Sequence, residues 1–172
     1  PDLSQIKTPL LSVGNWGGLG LHLRGNIEGY LGTASEHKWL RTIVGNHYTP
    51  FYSEEGRAIQ KRFFDYWLRG HDNGQLAEPR LQLAIRRGTE VAWCNENEWP
   101  LARTQWTYLS LDAATRCLND QMPSSEKSVS YDALQGGVTF LTEPFPTDTE
   151  IIGPLALRLW ISSSTDDLDL FV

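Results

Sequence analysis

Apolar positions in the first seventy residues alternate between short continuous runs and stripes of helical period. Leu10-Leu11-Ser12-Val13, closed by Gly14, has the pattern of a strand covered on both faces, as in a parallel sheet. The loop Asn15-Trp16-Gly17-Gly18-Leu19-Gly20 is too rich in glycine for strand or helix. Leu23, Ile27, Tyr30 and Leu31 then recur at i, i+4, i+7 and i+8, which predicts an amphipathic helix, weakened by Gly25 and Gly29 and stopped at Gly32. Residues 38–44 read as a second strand, ended by Gly45. Ser53 is a good N-cap, and Glu54 and Glu55 suit the positive end of a helix dipole. Ile59, Phe63, Phe64 and Trp67 form one apolar stripe; Lys61, Arg62 and Arg69 lie in the later turns, and Gly70 closes a helix of about 17 residues. Strand, loop, helix, strand, loop, helix predicts parallel strands with right-handed crossovers. Two strands cannot bury such helices and leave open edges, so further strands are expected upstream.

Beyond the polar linker of residues 71–79 the period changes to two. Leu81, Leu83 and Ile85 alternate with Gln82, Ala84 and Arg86, and Leu109 and Leu111 with Tyr108 and Ser110. Residues 138–141 form a short apolar run, and Leu155, Leu157, Leu159 and Ile161 alternate with Ala156, Arg158 and Trp160. Such runs between Gly, Pro and Asp turns predict antiparallel strands of a sandwich. Residues 113–137, poor in apolar side chains, read as a long loop. No internal repeat is visible.

Composition adds limits. The 172 residues suffice for one domain or two small ones, and 40% apolar with 21% charged is ordinary for a globular protein. Seven Trp, six Tyr and six Phe require large flat side chains to be buried somewhere. The formal charge is -6 and the basic residues are scattered, which argues against nucleic acid as a partner. Cys94 and Cys117 have neither CxxC nor Cys/His metal spacing and read as free thiols of a reducing, cytoplasmic compartment. No apolar run is long enough for a membrane helix. The first residues carry no Met and no signal-peptide pattern, and the last stop inside an apparent strand, so the chain is expected to be part of a longer polypeptide.

The candidate chemistry centres on His47, delivered to a loop where a buried strand stops at Gly45. A general base needs a near-neutral pKa and a rigid strand end within reach of a hydroxyl. The alternative is a His that merely bonds a nearby carbonyl. His22, at a helix start beside the Gly-rich loop, is a second candidate, because pockets form at the carboxyl ends of strands. His37 lies at the opposite end of its strand and His71 in the linker. Trp16 and Tyr48 either wall a pocket or pack the core. Asp148, Glu150, Asp166, Asp167 and Asp169 do not match a Ca²⁺ loop and read as a solvated strand end. Trp93, Trp99, Trp106 and Trp160 read as packing residues, with a sugar-binding platform as the alternative.

Several motifs together resemble a known family. Leu10-Leu11-Ser12-Val13-Gly14-Asn15-Trp16, Val44-Gly45-Asn46-His47 and Phe63-Phe64-Asp65-Tyr66-Trp67-Leu68-Arg69-Gly70 are similar to the last βα units of the cocaine-esterase and X-Pro dipeptidyl-peptidase hydrolases. Glu98-Trp99-Pro100-Leu101, Thr142-Glu143-Pro144 and the stretch 153–163 are similar to that family's C-terminal jelly roll. The resemblance implies an α/β plus all-β chain. Residues 1–75 would be the C-terminal part of an α/β-hydrolase domain, and 76–172 the first part of an antiparallel jelly-roll β-sandwich, both incomplete.

It also implies a Ser, Asp, His triad that cleaves esters, amides or X-Pro peptides through an acyl-enzyme. His47 matches the catalytic His. The Ser, in a Gly-x-Ser-x-x-Gly turn, has no match in this chain and is expected upstream. Gly17 stands where the family carries its Asp, and residues 3–27 contain no carboxylate. Asn15 is the candidate to orient the imidazole, as Asn does for Cys nucleophiles; Glu28 reads as a solvated face, and otherwise the orienting group comes from elsewhere or the triad is incomplete. No cofactor and no metal are implied. The expected partner is a small ester, amide or peptide, with no membrane and with homo-oligomerisation left open. The competing reading is a non-catalytic binding module or a pseudo-enzyme that lacks the triad acid.

Overall fold

The computed structural model describes residues 2–18 and 22–171. It separates into two compact units, Pro1–Ala102 and Arg103–Val172. In the first, strands β1 (Leu10–Asn15), β2 (Lys38–Ile43), β3 (Leu81–Arg87) and β4 (Glu90–Glu96) form one sheet in the order β1-β2-β3-β4. β1 and β2 are parallel over six residue pairs, from Leu10 opposite Lys38 to Asn15 opposite Ile43. β3 runs parallel to β2 and antiparallel to β4.

The helices follow the sequence pattern closely. Helix α1 is Leu23–Gly32, and α3 is Glu54–Arg69. Ser53 caps α3 by accepting a hydrogen bond from Gly56 N at 3.0 Å, and Gly70 ends it in the left-handed conformation (φ 68°) that a side chain disfavours. Ser53→Ala should therefore cost about 1 kcal/mol, read as a lower urea midpoint without a change in the CD spectrum. A short helix α2 (Tyr48–Tyr52), unforeseen in the sequence, fills the loop after His47. It is pressed onto α3: the Ser53 hydroxyl donates to Pro50 O, and Gln60 Nε2 donates to Phe51 O.

The two long helices lie on opposite faces of the sheet. Ser12 Oγ donates to Asn26 O, so α1 covers the face carrying Ser12 and Gly14. Trp39, whose strand partner is Leu11, meets Phe63 and Trp67 of α3 on the other face. Two crossovers between adjacent parallel strands, running in the same direction, place their helices on the same face when both are right-handed. Here the two connections are of opposite hand, so the expected right-handedness holds for one of them at most.

Trp39, Leu40, Leu81, Leu83 and Thr42 are the largest fully buried side chains. Linker residue Glu78 clamps the layers: its carboxylate takes Arg41 of β2 at 2.6 Å and Arg62 of α3, and its carbonyl accepts from Trp39 Nε1.

Three expectations are corrected. The alternating run from Leu81 pairs antiparallel with β4 as expected, but it does not stay apart from the first sheet; it also pairs in parallel with β2, because period two marks a strand without naming its partners. Ala84 N donates to Thr42 Oγ1, and Leu81 and Leu83 are completely buried there. Second, Val13 is 37% exposed, so the face of β1 turned toward α3 is only partly covered. Third, among the described residues of the second unit only β5 (Ser110–Asp112) and β6 (Cys117–Asn119) form a sheet, with Leu141 bridging to Cys117. β6 falls within the stretch read as a loop. Residues 155–161 take no strand, and Leu155 and Trp160 are 86% and 96% exposed. Alternation alone does not hold a strand, since its backbone groups need a neighbouring strand.

Candidate functional site

The parallel strands β1 and β2 end side by side, at Asn15 and Ile43, and the loops that leave them carry the candidate residues. This is the end of a parallel sheet where ligands bind in α/β proteins. The first loop turns through Trp16–Gly18 as a short 3-10 helix, and His22 stands just before α1. The second passes Gly45 (φ 100°) to Asn46 and His47, directly ahead of α2.

His22 and His47 are brought together. Their ring centroids are 5.3 Å apart in an edge-on arrangement, and both residues are exposed. Each is held by its own backbone. α1 is tied to β1 through Ser12 and Asn26, whose Nδ2 donates to Val13 O at 3.1 Å. The His47 loop is held by Asn46, whose Oδ1 accepts from Tyr48 N at 2.9 Å and Thr49 N at 2.7 Å. Ser12, Asn26 and Asn46 escaped the sequence reading, although Asn46 followed three residues later by Thr49 is a turn-capping signal.

Asn15 is buried, and both ends of its amide are engaged. Oδ1 accepts from Gly17 N at 2.7 Å, and Nδ2 donates to Asn46 O at 2.9 Å. It ties the two loops together; the expected bond to the imidazole is not among its contacts. Trp16 is half-buried with its indole N–H on Ala84 O at 2.7 Å, which makes it a strut between β1 and β3. Gly17 packs so closely on the second loop that a Cβ would lie 2.7 Å from Gly45 O. Tyr48, 75% exposed, points its bulk outward beside His47. His37 packs on Trp67 with ring centroids 4.8 Å apart, before the start of β2 and away from the two loops. Glu28 is exposed on α1. Among the described residues, no hydrogen bond or ion pair links a carboxylate to His47. Leu19 and Gly20 of the glycine-rich loop lie outside the described residues.

A cavity of about 820 Å³ wraps the free edge of β1, with α1 on one side and α3 on the other. Its lining includes Leu10, Val13, Phe51 and Phe64, with His22 and His47 among the lining groups at the strand ends. The slot is mostly apolar and bordered by the edge of β1 that has no strand partner among the described residues. The imidazoles of His22 and His47 stand at its end.

A parallel sheet with a histidine in the loop after its strand defines an α/β architecture with a candidate proton-transfer site. The comparisons narrow this. Residues 73–172 match the family profile described as the X-Pro dipeptidyl-peptidase C-terminal non-catalytic domain. Two crystal structures of a CocE/NonD family hydrolase from Staphylococcus aureus, one at 1.95 Å, superpose with a TM-score of 0.66 at 36% identity, over 72% of this chain and 22% of theirs. No curated protein matches the chain. The chain belongs to the cocaine-esterase and X-Pro dipeptidyl-peptidase family, and it spans roughly a fifth of the length of those solved chains. His47 and β1 to α3 precede the matched non-catalytic stretch. No helix among the described residues is long and apolar enough to cross a membrane.

Proposed function

We propose that this chain is the C-terminal portion of a serine hydrolase that cleaves acyl esters, amides or X-Pro peptides through an acyl-enzyme. Its sheet is the last part of an α/β-hydrolase sheet, and the second unit is the start of a jelly roll. His47 is the general base. It accepts the proton of a Ser hydroxyl as the oxygen attacks the substrate carbonyl. It returns that proton to the leaving group when the tetrahedral intermediate collapses to the acyl-Ser. Water then repeats the sequence and releases the acid.

The observation that carries this reading is the place of His47. It is exposed, at the carboxyl end of a parallel sheet, beside an apolar slot along the bare edge of β1. An edge strand flanked by helices on both faces is suited to pair with a further strand, and the nucleophile would arrive with it. The likeness to CocE/NonD hydrolases supports the same assignment.

A second reading has one observation in its favour: no carboxylate contacts His47 among the described residues, as in a pseudo-enzyme or a binding module. A fluorophosphonate probe separates the two. The full-length polypeptide should be labelled on a Ser outside these residues, while the isolated 172 residues are neither labelled nor active on p-nitrophenyl esters. Esterase activity in the isolated chain, or a folded full-length protein that resists the probe, would sink the proposal.

A further inference from the structure

We infer that Gly18 is a positioning residue, the seat against which the His47 imidazole is held. This rests on the reading of His47 as the base. An ideal Cβ built on Gly18 would lie 2.4 Å from His47 Cε1 and 2.8 Å from Nε2. Both are shorter than any real contact of a Cβ, so the ring occupies the space that a side chain at 18 would fill.

The seat cannot simply retreat. Gly17 N is bonded to Asn15 Oδ1, and Asn15 Nδ2 to Asn46 O, so the loops on either side of the ring are stitched to each other. Gly17 itself is in close packing with Gly45 O. His22 flanks the ring edge-on at 5.3 Å. Among the described residues His47 has no hydrogen-bond partner, so shape rather than a bond fixes its direction. With no carboxylate bonded to the ring among the described residues, that contact is the more consequential. The imidazole of a triad is ordinarily turned by its acid, and here buried backbone performs the turning.

The two glycines should respond differently to a methyl group. At Gly17 the Cβ meets backbone, Gly45 O at 2.7 Å, which cannot swing aside. At Gly18 it meets the end of an exposed side chain, which can rotate into solvent at little cost to the fold. Gly18→Ala should therefore leave stability intact while the base points away from its work.

The test is steady-state ester hydrolysis by the full-length polypeptide with His47→Ala as the floor, together with thermal unfolding and a crystal structure of Gly18→Ala. The expected result is an unchanged melting midpoint, KM within about threefold, kcat lower by about 10²-fold, and a rotated His47 ring. Wild-type kcat in Gly18→Ala beside an inactive His47→Ala overturns the seat and leaves the base assignment standing. A melting midpoint that falls with kcat makes Gly18 a structural residue and also overturns it. Turnover retained by His47→Ala removes the base assignment and the seat with it.

Discussion

His47→Ala in the full-length polypeptide should lower kcat by about 10⁴–10⁶-fold, or ~5.5–8 kcal/mol of transition-state stabilisation, with KM little changed. The reasoning is chemical. A Ser hydroxyl is a poor nucleophile until a base removes its proton during attack, and the same base must protonate the departing group. Loss of the imidazole removes both transfers, whereas contacts that only bind substrate are kept. The rate left over comes from oxyanion stabilisation and positioning, which the variant does not touch. His22→Ala provides the contrast in the same assay, because an imidazole at the start of α1 shares the slot but not the loop after β2. If His47→Ala retained a tenth of the wild-type rate, a base at this position would be untenable.

The second large effect concerns the fold that carries the loops. Trp39→Ala should destabilise the first unit by about 3–5 kcal/mol, measured as the loss in urea-unfolding free energy followed by far-UV CD. Trp39 is 1% exposed. Its ring meets Phe63 and Trp67 at centroid distances of 6.1 and 6.4 Å, and Arg80 stacks over it at 4.9 Å. Its indole N–H bonds Glu78 O at 3.2 Å. Truncation leaves a cavity between sheet and α3, a carbonyl without its donor and a cation without its aromatic face. A loss below about 1 kcal/mol would mean that α3 collapses freely onto the sheet and that Trp39 is not its anchor.

The sequence exposed some of this plainly. The stripe from Ile59 to Trp67, with Ser53 before and Gly70 after, could only be a helix, and the structure has it from Glu54 to Arg69 with both caps in place. β1 and β2 were legible from their apolar runs, and α1 from a helical period that Gly25 and Gly29 weaken. Partnership was not. Alternation at Leu81, Leu83 and Ile85 declares a strand yet is silent on the sheet it enters, and burial against Thr42 decides it. β4 was missed because Val91 and Trp93 lie on an edge strand, reached through a tight turn at Gly88 and Thr89 (φ 63° at Gly88). In the second unit, residues 155–161 carry a strand-like period without a neighbour to complete it.

The site shows the same division. That His47 follows a strand ending is legible in Val44-Gly45-Asn46-His47. Asn15 was noticed for a bond to the ring, and it proves to be the stitch between the loops. An amide has a donor and an acceptor to place, and sequence alone does not say which neighbours will take them. The approach of Gly18 to the imidazole was invisible for a related reason. A glycine run announces freedom of the backbone, not the object that occupies the vacated space.

The clamp at Glu78 bears on how such a chain can be cut and rejoined. Residue 73 opens the stretch that matches the non-catalytic family profile, yet Glu78 lies inside that stretch and grips Arg41 and Arg62 outside it. Excising the profile as a module would strand two guanidinium groups beside β2 and tear β3 from its parallel neighbour. A graft that respects the physics would place its seam after Ala102, and evolutionary exchange of the appendage would face the same penalty.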